Sequence, residues 1–181
     1  MSPKSNFIVR QRSEVYRGRI VNLTVDHITT GNGIDTLREV IHHPGGAAVV
    51  PVLENGDVLL VRQFRYPMGE SLLELPAGKI DHQEPPEQTA LRELAEEVGF
   101  QAGKLEKIAE FYSTPGFCDE LLHVYLATGL VPVGTRHDED EEIEILRFSR
   151  EELKVLLRTG QIRDGKTILG IQHLLLHFPG E

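Results

Sequence analysis

The chain has 181 residues, 40% hydrophobic and 26% charged, which fits a soluble globular protein with a sizeable core and excludes a bilayer-spanning run. Its formal charge of −9 argues against non-specific binding to nucleic acid or an anionic membrane, which needs a basic surface. The single cysteine, Cys118, excludes an internal disulfide and, with no apolar signal core near the N-terminus, sets the expectation of a cytoplasmic location. Residues 7–43 read as strands, with Asn32-Gly33 as the turn between Leu23–Thr29 and Ile34–His42. Ala47–Leu53 and Val58–Gln63 flank Asn55-Gly56, which predicts a second hairpin. Leu72–Leu75 reads as a short strand, residues 85–98 as a helix, and residues 104–112, 121–128 and 143–148 as strands. Ser149 and Glu152 make a capping-box pattern ahead of Leu153, Leu156 and Leu157. A last helix covers residues 165–177, with Ile168, Ile171, Leu174 and Leu175 on its core face. Strands bracketing helices argue for an α/β (α+β) sandwich with a mixed sheet. Residues 1–43 form an extension of antiparallel strands, and residues 44–181 form the main domain.

The helix over residues 85–98 carries the chemistry. Glu93, Glu96 and Glu97 are three and four apart, so a helix brings their carboxylates to one face. Three negative charges on one turn repel unless something cationic sits among them. Carboxylate oxygens suit magnesium or manganese better than zinc. Leu91, Leu94, Ala95 and Val98 make an apolar stripe on the opposite face. Pro85 and Pro86 suit a first turn, and Gly99 suits a left-handed closing residue. The plain alternative is a solvated acidic face.

The full string weighs against that alternative. Gly78 is followed after five residues by Glu84, and after seven more by Arg92-Glu93-Leu94-Ala95-Glu96-Glu97-Val98-Gly99-Phe100. This resembles the signature of the Nudix hydrolases at every defined position. Pro115 lies sixteen residues beyond Gly99, in Thr114-Pro115-Gly116-Phe117. A proline at that offset, with the preceding Leu75-Pro76-Ala77-Gly78, is similar to the ADP-ribose pyrophosphatase subgroup. The resemblance is sharpest over residues 75–120.

That resemblance implies a mixed sheet between helices and a metal-dependent pyrophosphohydrolase. The implied substrate is a nucleoside diphosphate sugar, ADP-ribose first, with GDP-mannose or another nucleoside diphosphate derivative as the alternative. It implies Glu93 and Glu97 as metal ligands, Glu96 as a shared or bridging ligand, and the Ala77 carbonyl completing the set. Magnesium is the implied ion, with manganese able to substitute. Arg92 would orient the glutamates, and Glu84 would support them. The subgroup's general base comes from a later acidic loop, which here reads Asp138-Glu139-Asp140-Glu141-Glu142. Glu139 and Glu141 are the candidates, and the sequence does not separate them. The subgroup also implies a homodimer built on the N-terminal strands; those strands could instead cap the monomer's own sheet.

Arg65 is the best basic candidate for gripping a phosphate, because a guanidinium offers two parallel bonds. Glu74 could accept hydrogen bonds from a sugar or base, and Arg38 could approach a phosphate. Pro115 and Gly116 join them as candidate substrate contacts, and Phe7 or Tyr16 could stack on the base. His173 and His177 lie four apart without a visible third ligand, so a structural pair is expected. The rival from another class is a module that senses a nucleotide or calcium without turnover. Residues 138–142 lack the EF-hand spacing and its glycine.

Overall fold

The computed structural model describes residues 6–81, 84–136 and 142–178. The chain divides into two compact units, residues 1–45 with 112–121, and residues 46–111 with 122–181.

The first unit is an antiparallel sheet of β1 (Ile8–Arg17), β2 (Asn22–Thr29) and β3 (Asp35–His42), in that spatial order. The expected Asn32-Gly33 turn joins β2 to β3, closed by the Thr30 amide on the Ile34 carbonyl and the Gly33 amide on the Thr30 carbonyl. Strand β2 turns Thr24, Asp26 and Ile28 inward, in the period of two that a one-sided strand requires. The buried Asp26 is met by Arg12 of β1 through two parallel bonds of 2.8 and 2.6 Å. Residues 112–121 belong to this unit through the end of β3. There the Ile41 amide donates to the Phe117 carbonyl, and His42 Nδ1 lies 2.6 Å from Asp119 Oδ2.

The second unit contains β4 (Gly46–Pro51), β5 (Val58–Arg65), β6 (Glu70–Glu74), β7 (Ala77–Lys79), α1 (Pro86–Val98), β8 (Phe100–Gln101) and β9 (Lys104–Tyr112). It continues with β10 (Leu121–Thr128), β11 (Val131–Pro132), β12 (Ile143–Phe148), α2 (Arg150–Arg158) and α3 (Gly165–His177). One sheet runs β7-β4-β10-β9, a second β12-β5-β6, and β11 pairs with β8. Strand β4 is parallel to β10 and antiparallel to β7, so the sheet is mixed.

All six residues of β4 are buried, because both its faces are covered. Val49 joins Leu59, Val61, Leu94 and Val98 in the core beneath α1. Ala48 and Val50 point the other way, to Leu60, Leu75, Leu153, Ile171 and Leu174 beneath α2 and α3. This is an α/β/α sandwich. The capping box of Ser149 and Glu152 forms at the start of α2, and the last helix covers the expected residues.

One expectation is corrected. The Asn55-Gly56 turn forms, with the Leu53 amide on the Asp57 carbonyl and the Gly56 amide on the Leu53 carbonyl. The hairpin does not continue beyond it. After a single bridge, Val52 to Val58, β4 and β5 part into different sheets. A turn signal fixes only the residues it hydrogen-bonds. The uniformly apolar β4 gains more between β10 and β7, under a helix on each side, than at a half-covered hairpin edge.

Candidate active site

The segment Leu75-Pro76-Ala77-Gly78 is held at three successive residues. The Leu75 amide donates to the buried Thr167 Oγ1 at 2.7 Å, the Pro76 carbonyl accepts from the Val49 amide, and the Ala77 amide donates to Glu97 Oε2 at 3.1 Å. Gly78 then pairs with Ala47 on β4. A Cβ on Gly78 would overlap the Glu93 carboxylate. Glycine is required here by close approach, as only a residue without a side chain leaves the space.

Helix α1 starts after Pro85 and ends at Gly99, whose φ of 75° is left-handed and whose amide bonds back to the Ala95 and Leu94 carbonyls. Its buried residues are Thr89, Ala90, Glu93, Leu94, Glu97 and Val98, while Leu91 and Ala95 are only half-buried. The buried face is therefore rotated by roughly a quarter turn from the predicted stripe. Glu93 and Glu97, 9% and 4% exposed, lie within the buried face and not opposite it. The β7 segment explains the rotation: Ala77 and Gly78 offer an amide donor and an empty place, which make that side of the helix hospitable to carboxylates.

The cation among the glutamates is Arg92. Its Nη1 donates to Glu93 Oε1 at 2.7 Å and to Glu96 Oε2 at 3.0 Å, and its Nη2 and Nε reach Glu84 at 3.3 and 3.4 Å. Burial alone would lower the Arg92 pKa; the bonds to Glu84, Glu96 and Glu93 outweigh it and raise the pKa above its ordinary value. Glu84 also accepts from Thr89 Oγ1, which fixes it on the first turn of α1. As they stand, no three acidic, imidazole or thiol groups among the described residues are set to hold an ion. The donor chemistry nonetheless fits a hard divalent cation, with three carboxylates on adjacent turns of α1, Glu93 among them seated where Gly78 has no Cβ.

Three comparisons with known proteins bear on this arrangement. The NUDIX domain family model matches residues 42–169. The chain belongs to that family. It is 40% identical over 167 residues to an ADP-ribose pyrophosphatase of Bacillus subtilis (strain 168), covering 91% of this chain and 90% of that one. It is 34% identical over 157 residues to a GDP-mannose pyrophosphatase of Yersinia enterocolitica, covering 81% and 82%. Its fold is that of a solved ADP compounds hydrolase, with a TM-score of 0.83 at 21% identity, over 93% of this chain and 92% of that one.

Within this Nudix protein, the expected substrate contacts Arg65 and Glu74 meet each other. Arg65 Nε and Nη2 donate to the two Glu74 oxygens at 2.6 and 2.8 Å. Glu74 is only 2% exposed and also accepts from Lys166. Glu74, expected as a contact for sugar or base, has its carboxylate turned to these two cations. Arg65 keeps a water-facing side, its side chain being 38% exposed. Burial would raise the Glu74 pKa, and the bonds from Arg65 and Lys166 overcome that and lower it.

Arg38, Pro115 and Gly116 lie in the first unit. Arg38 is exposed and donates to the Leu37 carbonyl at 2.8 Å. Pro115 and Gly116 occupy the turn closed by the Phe117 and Cys118 amides on the Thr114 carbonyl. Glu139 and Glu141 lie outside the described residues. The His173 and His177 rings lie with centroids 4.5 Å apart and planes tilted by 43°.

Sequence reasoning missed Asp164, Lys166 and Thr167. Asp164 caps α3 by accepting from the Thr167 amide and hydroxyl. An Asp three residues before Thr, ahead of an apolar run, is a readable capping signal. A lysine in the first turn opposes the helix dipole, which was the hint that Lys166 serves a partner elsewhere. Among the described residues, no helix is long and apolar enough to cross a membrane.

Proposed function

We propose that this chain is a divalent-metal-dependent pyrophosphohydrolase of nucleoside diphosphate sugars, with ADP-ribose as the first substrate and AMP and ribose 5-phosphate as products. The carrying observation is the Glu93 carboxylate seated where Gly78 has no Cβ, beside Glu96 and Glu97, in a chain 40% identical to an ADP-ribose pyrophosphatase. Glu93, Glu96 and Glu97, with the Ala77 carbonyl, are the proposed holders of magnesium, for which manganese can substitute. A dication held there supplies charge neutralisation on the diphosphate and a more acidic water.

The protein's own groups do the rest. Arg92 orients Glu93 and Glu96 through the bonds described above. Arg65 has spent Nε and Nη2 on Glu74, so a phosphate contact falls to Nη1. Glu139 or Glu141 takes the proton from water. The water oxygen forms a bond to one phosphorus, the bond from that phosphorus to the bridging oxygen breaks, and the second phosphate leaves with that oxygen. The described residues before the acidic stretch support the base assignment, since the Arg136 amide donates to the Glu96 carbonyl at 2.9 Å.

Three further readings stand on the same footing. The exposed Ile8, Val9, Val15 and Tyr16 of β1 support a homodimer through the N-terminal strands; light scattering tests it. Arg38, Pro115 and Gly116 are proposed substrate contacts, to be read as KM changes in Arg38→Ala and Pro115→Ala. A cytoplasmic location is proposed from the lone cysteine and is checked by cell fractionation.

The deciding experiment is a substrate panel with magnesium, ranked by kcat/KM. ADP-ribose is expected to lead GDP-mannose by about tenfold or more. The 34% identity to a GDP-mannose pyrophosphatase favours GDP-mannose as the second reading. If GDP-mannose leads, the specificity is overturned and the chemistry stands. If nothing turns over with magnesium or manganese, a nucleotide sensor replaces the enzyme.

A further inference from the structure

Four charged groups meet at the start of α3. Glu74 binds Arg65 at two points and accepts from Lys166 Nζ. The Lys166 side chain is 11% exposed, and its Nζ lies 3.1 Å from Asp164 Oδ2. Taking these charges out of water is costly, and apolar residues of similar volume would fill the same place without that cost. Packing alone therefore does not account for Lys166.

Charge sharing does. A carboxylate bound at two points to one guanidinium cancels most of its positive charge. Glu74 is bound in that way to Arg65 but is shared with Lys166 as well, so one carboxylate faces two cations and a net positive charge remains over Arg65, Glu74 and Lys166. Asp164 does not cancel it fully, because its carboxylate also caps the positive N-terminus of α3 through the Thr167 amide. Arg65 is the member that meets water, and it lies in the field of Glu97 on the metal helix. We propose that Lys166 is a positioning residue for diphosphate binding: by sharing Glu74, it leaves Arg65 the charge needed to hold the substrate's phosphates. This rests on the reading of the chain as a nucleoside diphosphate sugar hydrolase.

The test compares Lys166→Met, Lys166→Arg and the neutral double variant Glu74→Gln/Lys166→Met. Each is measured for kcat and KM on ADP-ribose, affinity for α,β-methylene-ADP by calorimetry, and Tm. Lys166→Met is expected to raise KM about tenfold with kcat within about threefold. Lys166→Arg keeps the charge and stays within about threefold of wild type in KM. In the double variant Gln still accepts from Arg65 without neutralising it, so KM returns to within about threefold of wild type. A folded Lys166→Met with unchanged KM overturns the proposal, as does a double variant no better than Lys166→Met. If Lys166→Met does not fold, the double variant decides alone: a near-native KM supports the proposal and a tenfold rise overturns it. A wild-type chain that hydrolyses no nucleoside diphosphate sugar sinks the functional reading instead. The α,β-methylene-ADP affinities then decide Lys166 separately, with equal affinity across the variants overturning it.

Discussion

Gly78 and Glu93 share one place: the side-chain position left vacant by the first is filled by the carboxylate of the second. Gly78→Ala forces the Glu93 side chain, or β7, to move. Displacing a ligand by about an ångström costs on the order of a hundredfold in rate. We expect kcat/KM for ADP-ribose to fall about that far, and magnesium affinity measured by calorimetry to fall with it. The circular dichroism spectrum should stay native.

Glu97→Gln separates charge from shape. The amide oxygen of Gln can still accept from the Ala77 amide, so the Leu75–Gly78 segment keeps its anchor. What is lost is a negative charge at the proposed dication site. Turnover should drop by about two orders of magnitude while Tm changes little. A near-normal rate would remove Glu97 from the ligand set.

Arg92→Lys keeps one positive charge and loses the fork. A single ammonium cannot serve Glu84, Glu93 and Glu96 together from the Arg92 position. The expected result is a fall in kcat/KM of about tenfold or more, with a weaker effect on KM than on kcat. Steady-state kinetics on the two proteins side by side checks it.

The pH dependence of stability follows from Glu74. Its pKa is lowered in the folded chain below its ordinary value of 4.5, because Arg65 and Lys166 outweigh the burial that would raise it. A depressed carboxylate stabilises the fold above its unfolded pKa, and that contribution is lost as pH falls through the folded value. Tm should therefore hold steady down to about pH 5 and decline below it. Glu74→Gln should flatten that decline in a thermal melt series.

The sequence made the secondary structure legible wherever one element settles its own ends. Pro85, Pro86 and Gly99 bounded α1, and Ser149 with Glu152 bounded α2. Which strand lies beside which was not legible, because the partners of β4 are set by residues far along the chain. The same limit held at the site. Local spacing brought Glu93, Glu96 and Glu97 together, yet it put them on the wrong side of the apolar stripe, since Ala77 and Gly78 fix the rotation of the helix. Arg65 and Glu74 were picked as functional from residue type. Their mutual pairing is set by the β5–β6 hairpin, and the help from Lys166 depends on α3, close to a hundred residues away.

The two central parallel strands, β4 and β10, are joined by a connection that contains α1. Parallel neighbours cannot zip from a tight turn; they wait for their crossover to be laid down. Closure of that ladder is a long-range step, whereas the acidic cluster needs only α1 docked on Ala77 and Gly78 of β7. A metal-sensitive signal followed during refolding would therefore date the docking of α1 against the closing of the central ladder.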